Sequence, residues 1–179
     1  NSLTVSFGSS LMATLVCAFA GYSFAKFRYR GRKFVMGMFM MSQAFPQAIL
    51  LLAIYSLMNR TGLLGSYWAL LISYVVFTLP VGTWTLKSYF DNIPDSLIES
   101  AKIDGAGDWK IYTSVILPLA KGGLAAVGLF IALKYWNDWY LANLFMNNEN
   151  GYPLQYLLYQ MLSSAEFLKS AAAANVDIS

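Results

Sequence analysis

The chain has 179 residues, of which 58% are hydrophobic and only 12% charged, and its net charge is +3. An average soluble domain is about a quarter charged, so the composition points to a membrane protein. With no histidine, one cysteine and no G-x-x-x-x-G-K-[ST] stretch, the sequence excludes a histidine-based catalytic pair or metal site. It also excludes a disulfide framework and a phosphate-binding loop of its own.

Residues 1–25, 34–59 and 61–86 carry no charge, giving runs of 25, 26 and 26 residues. A helix needs about 20 apolar residues to cross a bilayer. The first predicted span covers 3–25. It lacks the basic start of a cleaved signal peptide. Ser9, Ala13, Cys17, Gly21 and Ala25 recur every fourth residue, a stripe that lets a second helix approach closely. The second span covers 34–58 and contains "SQAFPQAILL". Pro46 removes a backbone donor and is expected to kink or break the helix. The polar Ser42, Gln43 and Gln47 beside it fit either a kink lining a pathway or an interhelical hydrogen bond.

The third span covers 66–89. The fourth, 119–145, is interrupted by Lys121, Lys134 and Asp138. Charges at membrane depth point to function by default. Lys134 and Asp138 lie one turn apart and can pair. Trp136 and Trp139 with their tyrosine neighbours suit an interfacial aromatic belt. The tail, 147–179, reads as an extracytoplasmic loop with a short amphipathic helix over 154–162.

Lys26, Arg28, Arg30, Arg32, Lys33, Lys87, Lys102, Lys110 and Lys121 fall in or beside the first and third loops. Only Arg60 and Lys169 fall in the second loop and the tail. The bias places 26–33 and 87–121 in the cytoplasm and 59–66 and 147–179 outside. No nucleic-acid-binding module accompanies the basic loop.

Between the third and fourth spans stands "ESAKIDGAGDWKIYTSVILP". Ser96 and Glu99 fit a capping box, Gly105 a helix C-cap, and Asp108 the cap of a second helix. The pattern predicts two short helices meeting at a glycine corner over 94–118. Such a corner has no chemistry of its own and is suited to docking.

"IPDSLIESAKIDGAGDWKIYTSVILPL" resembles the E-A-A signature of permease subunits of binding-protein-dependent ABC importers. Glu99, Ser100 and Ala101 precede Gly105 by the family spacing, and nine residues later comes Val115-Ile116-Leu117-Pro118. Ser100 and Val115 depart mildly from the family's alanine and isoleucine. "NRTGLLGSYWALLISYVVFTLPVGTWTLKSYFDNIPDSL" is similar to the second permease of carbohydrate importers of the maltose-transporter type. "WNDWYLANLFMNNENGYPLQYLL" looks like the branch handling complex oligosaccharides.

The resemblance implies an all-α, polytopic helix bundle whose family core has five spans. Four are legible here, so the chain is expected to be a fragment of a single permease domain. It also implies a site that couples to the ATPase, built from Glu99, Ser100, Ala101, Asp104, Gly105, Ala106, Leu117 and Pro118. A pathway for a sugar or oligosaccharide is expected at Gln43, Gln47, Trp136, Asn137, Asp138 and Trp139. The implied partners are ATP-binding cassette ATPase subunits, a homologous second permease, an extracytoplasmic solute-binding protein and membrane lipid. The implied place is the bacterial inner membrane. No cofactor or metal is called for, and no enzymatic activity, since ATP hydrolysis belongs to a partner. The same fold would serve a peptide, an amino acid or phosphate, and a non-transport membrane scaffold is the more distant alternative.

Overall fold

The computed structural model describes residues 2–146 and 153–173, with side chains to residue 170. All regular structure among the described residues is helical. The long α1 (Ser2–Lys26) and α4 (Tyr67–Asp91) are each apolar enough to cross a bilayer. They pack on each other more extensively than any other pair, and α8 (Lys121–Trp136) packs second against α1.

The small-residue stripe explains this order. Ser9, Ala13, Cys17 and Gly21 are buried and Ala25 is half-buried. A Cβ at Gly82 would stand 2.7 Å from the Cys17 sulfur, and one at Gly21 would stand 3.0 Å from the backbone nitrogen of Lys87. The helices touch almost backbone to backbone, the geometry that favours association in lipid. On the α8 side, the Ser10 hydroxyl donates to the Gly128 carbonyl. Tyr135 of α8 stacks on Tyr74 of α4 with ring centroids 3.8 Å apart and donates its hydroxyl to the Tyr74 carbonyl at 2.8 Å.

The expected second span is not one helix. It is α2 (Arg32–Ser42) and α3 (Gln47–Arg60), bent by 101° at the intervening residues. Pro46 is the N-cap of α3, as its missing donor and fixed φ dictate. The expected fourth span is likewise divided. α8 ends at Trp136, and the short α9 (Tyr140–Phe145) follows. The Asp138 carboxylate accepts from the Tyr140 and Leu141 amides at 3.0 and 3.3 Å. That cap is the local reason for a restart there. Among the described residues two helices are long and apolar enough to span, or up to four if each of two bent pairs is one span, α2 with α3 and Asp108–Leu119 with Lys121–Trp136.

Between α4 and α8 lie α5 (Asp95–Ile103), α6 (Asp108–Ile111), a π-helical turn over Tyr112–Ile116 and α7 (Leu117–Leu119). The axis turns by 74° where Ala120 separates this run from α8. In the tail, α10 spans Leu154–Ala173, eleven residues beyond the expected 154–162. The extension holds no glycine or proline and four alanines, all compatible with helix. Residues 147–152 and 174–179 of the expected outer loop lie outside the described residues.

Candidate functional site

The corner begins where Lys26, at the end of α1, reaches α5. Its ammonium donates to the Ile93 carbonyl at 2.6 Å and pairs with Asp95 at 2.7 Å. That ammonium holds the Asp95 carboxyl below its ordinary value. The capping box expected from Ser96 and Glu99 does not form. α5 starts two residues earlier, at Asp95, with Pro94 rather than Ser96 as N-cap and no side-chain cap. With proline as the N-cap there is neither a side-chain acceptor for the first-turn amides nor a backbone N–H for the reciprocal bond of a capping box. Asp108 is likewise the first residue of α6 rather than its cap, which is Gly107. It lies 3.8 Å from Lys102.

The C-terminal end of α5 closes as expected. Gly105 has φ +79°, its amide donates to the Lys102 carbonyl at 3.0 Å, and the Ala106 amide donates to the Ala101 carbonyl at 2.9 Å. This is a Schellman closure, with Ala101 and Ala106 half-buried beneath it. Glu99, Ser100, Asp104, Gly105 and Pro118 are exposed and Leu117 is half-buried. Glu99 makes no ion pair within 4 Å among the described residues. It lines a cavity of about 390 Å³ with Lys26, Arg28 and Lys102. Ile103, at the tip beside the glycine, is 86% exposed.

Aromatic rings fix the corner to the long helices. Trp109 stacks on Phe19 at 6.1 Å. Tyr112 lies 5.2 Å from Phe19 and 4.8 Å from Tyr22, and Tyr22 meets Phe90 edge-on at 5.9 Å. Each such pair adds about 0.5–1.5 kcal/mol beyond the area it buries.

The second candidate region lies at the break between α2 and α3. Three adjoining cavities, of about 280, 380 and 210 Å³, meet there, and Phe77 and Lys134 line all three. Gln43 lines two and Gln47 two, and Asp138 lines one. Four groups able to bond hydroxyls, two amides, an ammonium and a carboxylate, thus converge beside an aromatic ring. Lys134 and Asp138 share a cavity without closing into an ion pair within 4 Å, because Asp138 is turned to cap α9. The remaining expected residues stand apart. Asn137 donates to the Leu133 carbonyl at 2.9 Å and accepts from Gln155 of α10 at 3.4 Å. Trp139 stacks on Tyr159 of α10 at 3.8 Å. Trp136 is half-buried and lines none of the three cavities. Sequence reasoning named Lys134 as a charge at depth but did not place it, or Phe77, in the site.

The profile of a family described as the binding-protein-dependent transport system inner membrane component matches residues 12–174. The chain belongs to this family. A galactooligosaccharide transport system permease protein of Bacillus subtilis is 32% identical over 177 residues, covering 97% of this chain and 62% of the relative. A polygalacturonan/rhamnogalacturonan transport system permease protein of the same organism is 41% identical over 110 residues, covering 60% of this chain and 37% of the relative. Among solved structures, a bacterial ABC transporter involved in the import of the acidic polysaccharide alginate superposes with TM-score 0.72 at 25% identity, over 97% of this chain and 65% of that one. The chain thus spans less than two thirds of the length of these relatives.

Proposed function

We propose that the chain is part of a permease subunit of an ATP-driven importer in a bacterial inner membrane, and that it forms the pathway for a sugar or oligosaccharide. The observation that carries the reading is the glycine corner. It presents an apolar tip, Ile103, and an unpaired acid, Glu99, to solvent, and it is locked by aromatic rings to α1 and α4. An exposed apolar side chain on a rigid projection is the expected form of a docking knob. Having no phosphate-binding loop, the chain needs a separate ATPase. Closure of ATPase subunits on ATP would push the corner, and the rings would pass the push to the two long helices. Glu99, Ser100, Ala101, Asp104, Gly105, Ala106, Leu117 and Pro118 form this coupling element.

Solute would cross between this chain and a homologous second permease after delivery by an extracytoplasmic binding protein. Gln43, Gln47 and Asp138, joined by Lys134, line the passage. Trp136, Asn137 and Trp139 form its outer rim. Support for a carbohydrate comes from the convergence of amides, charges and the Phe77 ring, which suits hydroxyls and apolar ring faces. The relatives named for galactooligosaccharides and polygalacturonan support it too. The test is transport by the assembled importer at limiting oligosaccharide. Losing one neutral hydrogen bond costs about 0.5–1.5 kcal/mol, so Gln47→Ala is expected to slow uptake roughly three- to tenfold and leave basal ATP hydrolysis intact. Wild-type uptake by both Gln43→Ala and Gln47→Ala would move the solute contacts to the partner permease.

A further inference from the structure

A groove of about 1240 Å³ opens between the start of α2 and the end of α4, and it shares no lining residue with the three cavities around Lys134. Its rim carries five cations, Arg28, Arg30, Arg32, Lys33 and Lys87, and no acidic residue lines it. Lys87 pairs with Asp91, which stands outside the groove. Arg30, Arg32 and Lys33 have no ion pair within 4 Å among the described residues. Below the rim the lining changes character. Met36 and Met40 stand one and two turns into α2, about 6 and 12 Å along its axis from Arg32. Trp84, one turn before Lys87 on α4, is 51% exposed beside them.

We propose that this groove binds an anionic phospholipid, its phosphate held by Arg30, Arg32 and Lys33 and an acyl chain laid along Met36, Met40 and Trp84. The argument is one of charge and depth together. Unpaired cations on one rim call for an anion, and clusters of this kind beside membrane helices select acidic lipids. An acidic protein segment would satisfy the rim but would have to bury its backbone against an apolar wall inside the hydrocarbon. A lipid satisfies both at once, and Trp84 is the kind of side chain that anchors at headgroups. Arg28 lines both this groove and the corner cavity that holds Glu99, so the headgroup would lie beside the corner. The inference does not depend on which solute is carried.

Phe34 lines the groove and is 72% exposed, so the added benzoyl ring of p-benzoylphenylalanine has room there. The assembled transporter carrying that photoreactive residue is reconstituted into nanodiscs of phosphatidylcholine containing a minority of phosphatidylglycerol, and crosslinked lipid is identified by mass. Per lipid present, phosphatidylglycerol is expected to crosslink about tenfold more than phosphatidylcholine. The combined Arg30→Gln, Arg32→Gln and Lys33→Gln changes are expected to bring the two yields level. Removing cations can disturb insertion, so a second variant keeps every charge. A Cβ at Gly37 meets nothing within 4 Å, so Gly37→Phe can fill the groove, and it is expected to abolish the phosphatidylglycerol crosslink. Equal yields for the two lipids in the parent would overturn the proposal. So would crosslinks to another copy of the chain or to a partner subunit in place of lipid, or loss of the preference in millimolar inorganic phosphate.

Discussion

Single side chains decide how firmly the pieces are held. The tether between Lys26 and Asp95 joins two elements 69 residues apart. The neighbouring ammonium lowers the Asp95 pKa, so the carboxylate favours the folded state wherever it is ionised. That contribution is present above the ordinary value of 3.8 and is lost as the pH falls through the lower folded value. Asp95→Asn is expected to speed amide hydrogen exchange over residues 93–98 relative to the parent. The difference is expected to hold from neutral pH down to 3.8 and to close only in stronger acid. A gap already closed well above that value would show that the pair does not hold the corner. A second residue-scale test concerns the contact of Gly82 with Cys17. The added Cβ of Gly82→Ala meets sulfur at 2.7 Å, and overpacking costs about 1–3 kcal/mol. Adding Cys17→Ala removes that sulfur, so the double variant is expected to recover most of the loss in a denaturation series in micelles. Additive losses would mean that the helices do not meet there.

At the scale of elements, legibility in the sequence followed whether the deciding signal was local. The break at Pro46 is a property of one residue and was readable. So was the closure at Gly105, because only glycine takes φ +79° cheaply. The small-residue stripe was readable because its period matches a helix face. The start of α5 was misread because Ser96 and Glu99 have the spacing of a capping box, while Pro94 two residues earlier already sets the helical entry. The restart at α9 was missed for a related reason. Asp138 can serve Lys134 one turn back or the amides just ahead of it, and only the fold chooses. The cavity around Lys134 was legible only in part. Gln43 and Lys134 are 91 positions apart in the chain, and they meet because of a bend whose angle, 101°, no periodicity specifies. The corner supplies the prediction at this scale. In Gly105→Pro the ring cannot adopt the positive φ, and the donor to the Lys102 carbonyl is lost. The variant is expected to insert and assemble but to lose solute-stimulated ATP hydrolysis. Full stimulation in a correctly assembled complex would sink the coupling role.

At the scale of the whole molecule, the distribution of charge must agree with the packing. Lys26 and Lys87 lie near the ends of α1 and α4, and the corner, the loop 27–31 and Ala120 cluster around those ends. The turn 61–66 lies at the other end of α4, where the Gly65 amide donates to the Phe145 carbonyl of α9 at 2.9 Å. Nine of the twelve Lys and Arg residues therefore gather at one end of the bundle, with only Arg60 and Lys169 assigned to the other side and Lys134 at depth. Short basic loops stay in the cytoplasm, so on the proposed reading the corner would face the compartment that holds ATP and α9 the side from which solute arrives. A Cys17→Ser background removes the one native thiol of the chain. Single cysteines at Thr61 and Arg30, both exposed, then report the two sides. An impermeant maleimide applied to right-side-out vesicles is expected to label Thr61→Cys and to spare Arg30→Cys until the vesicles are opened. The opposite pattern would invert the molecule. The corner would then stand outside, away from any ATPase, and the importer reading would fail with it.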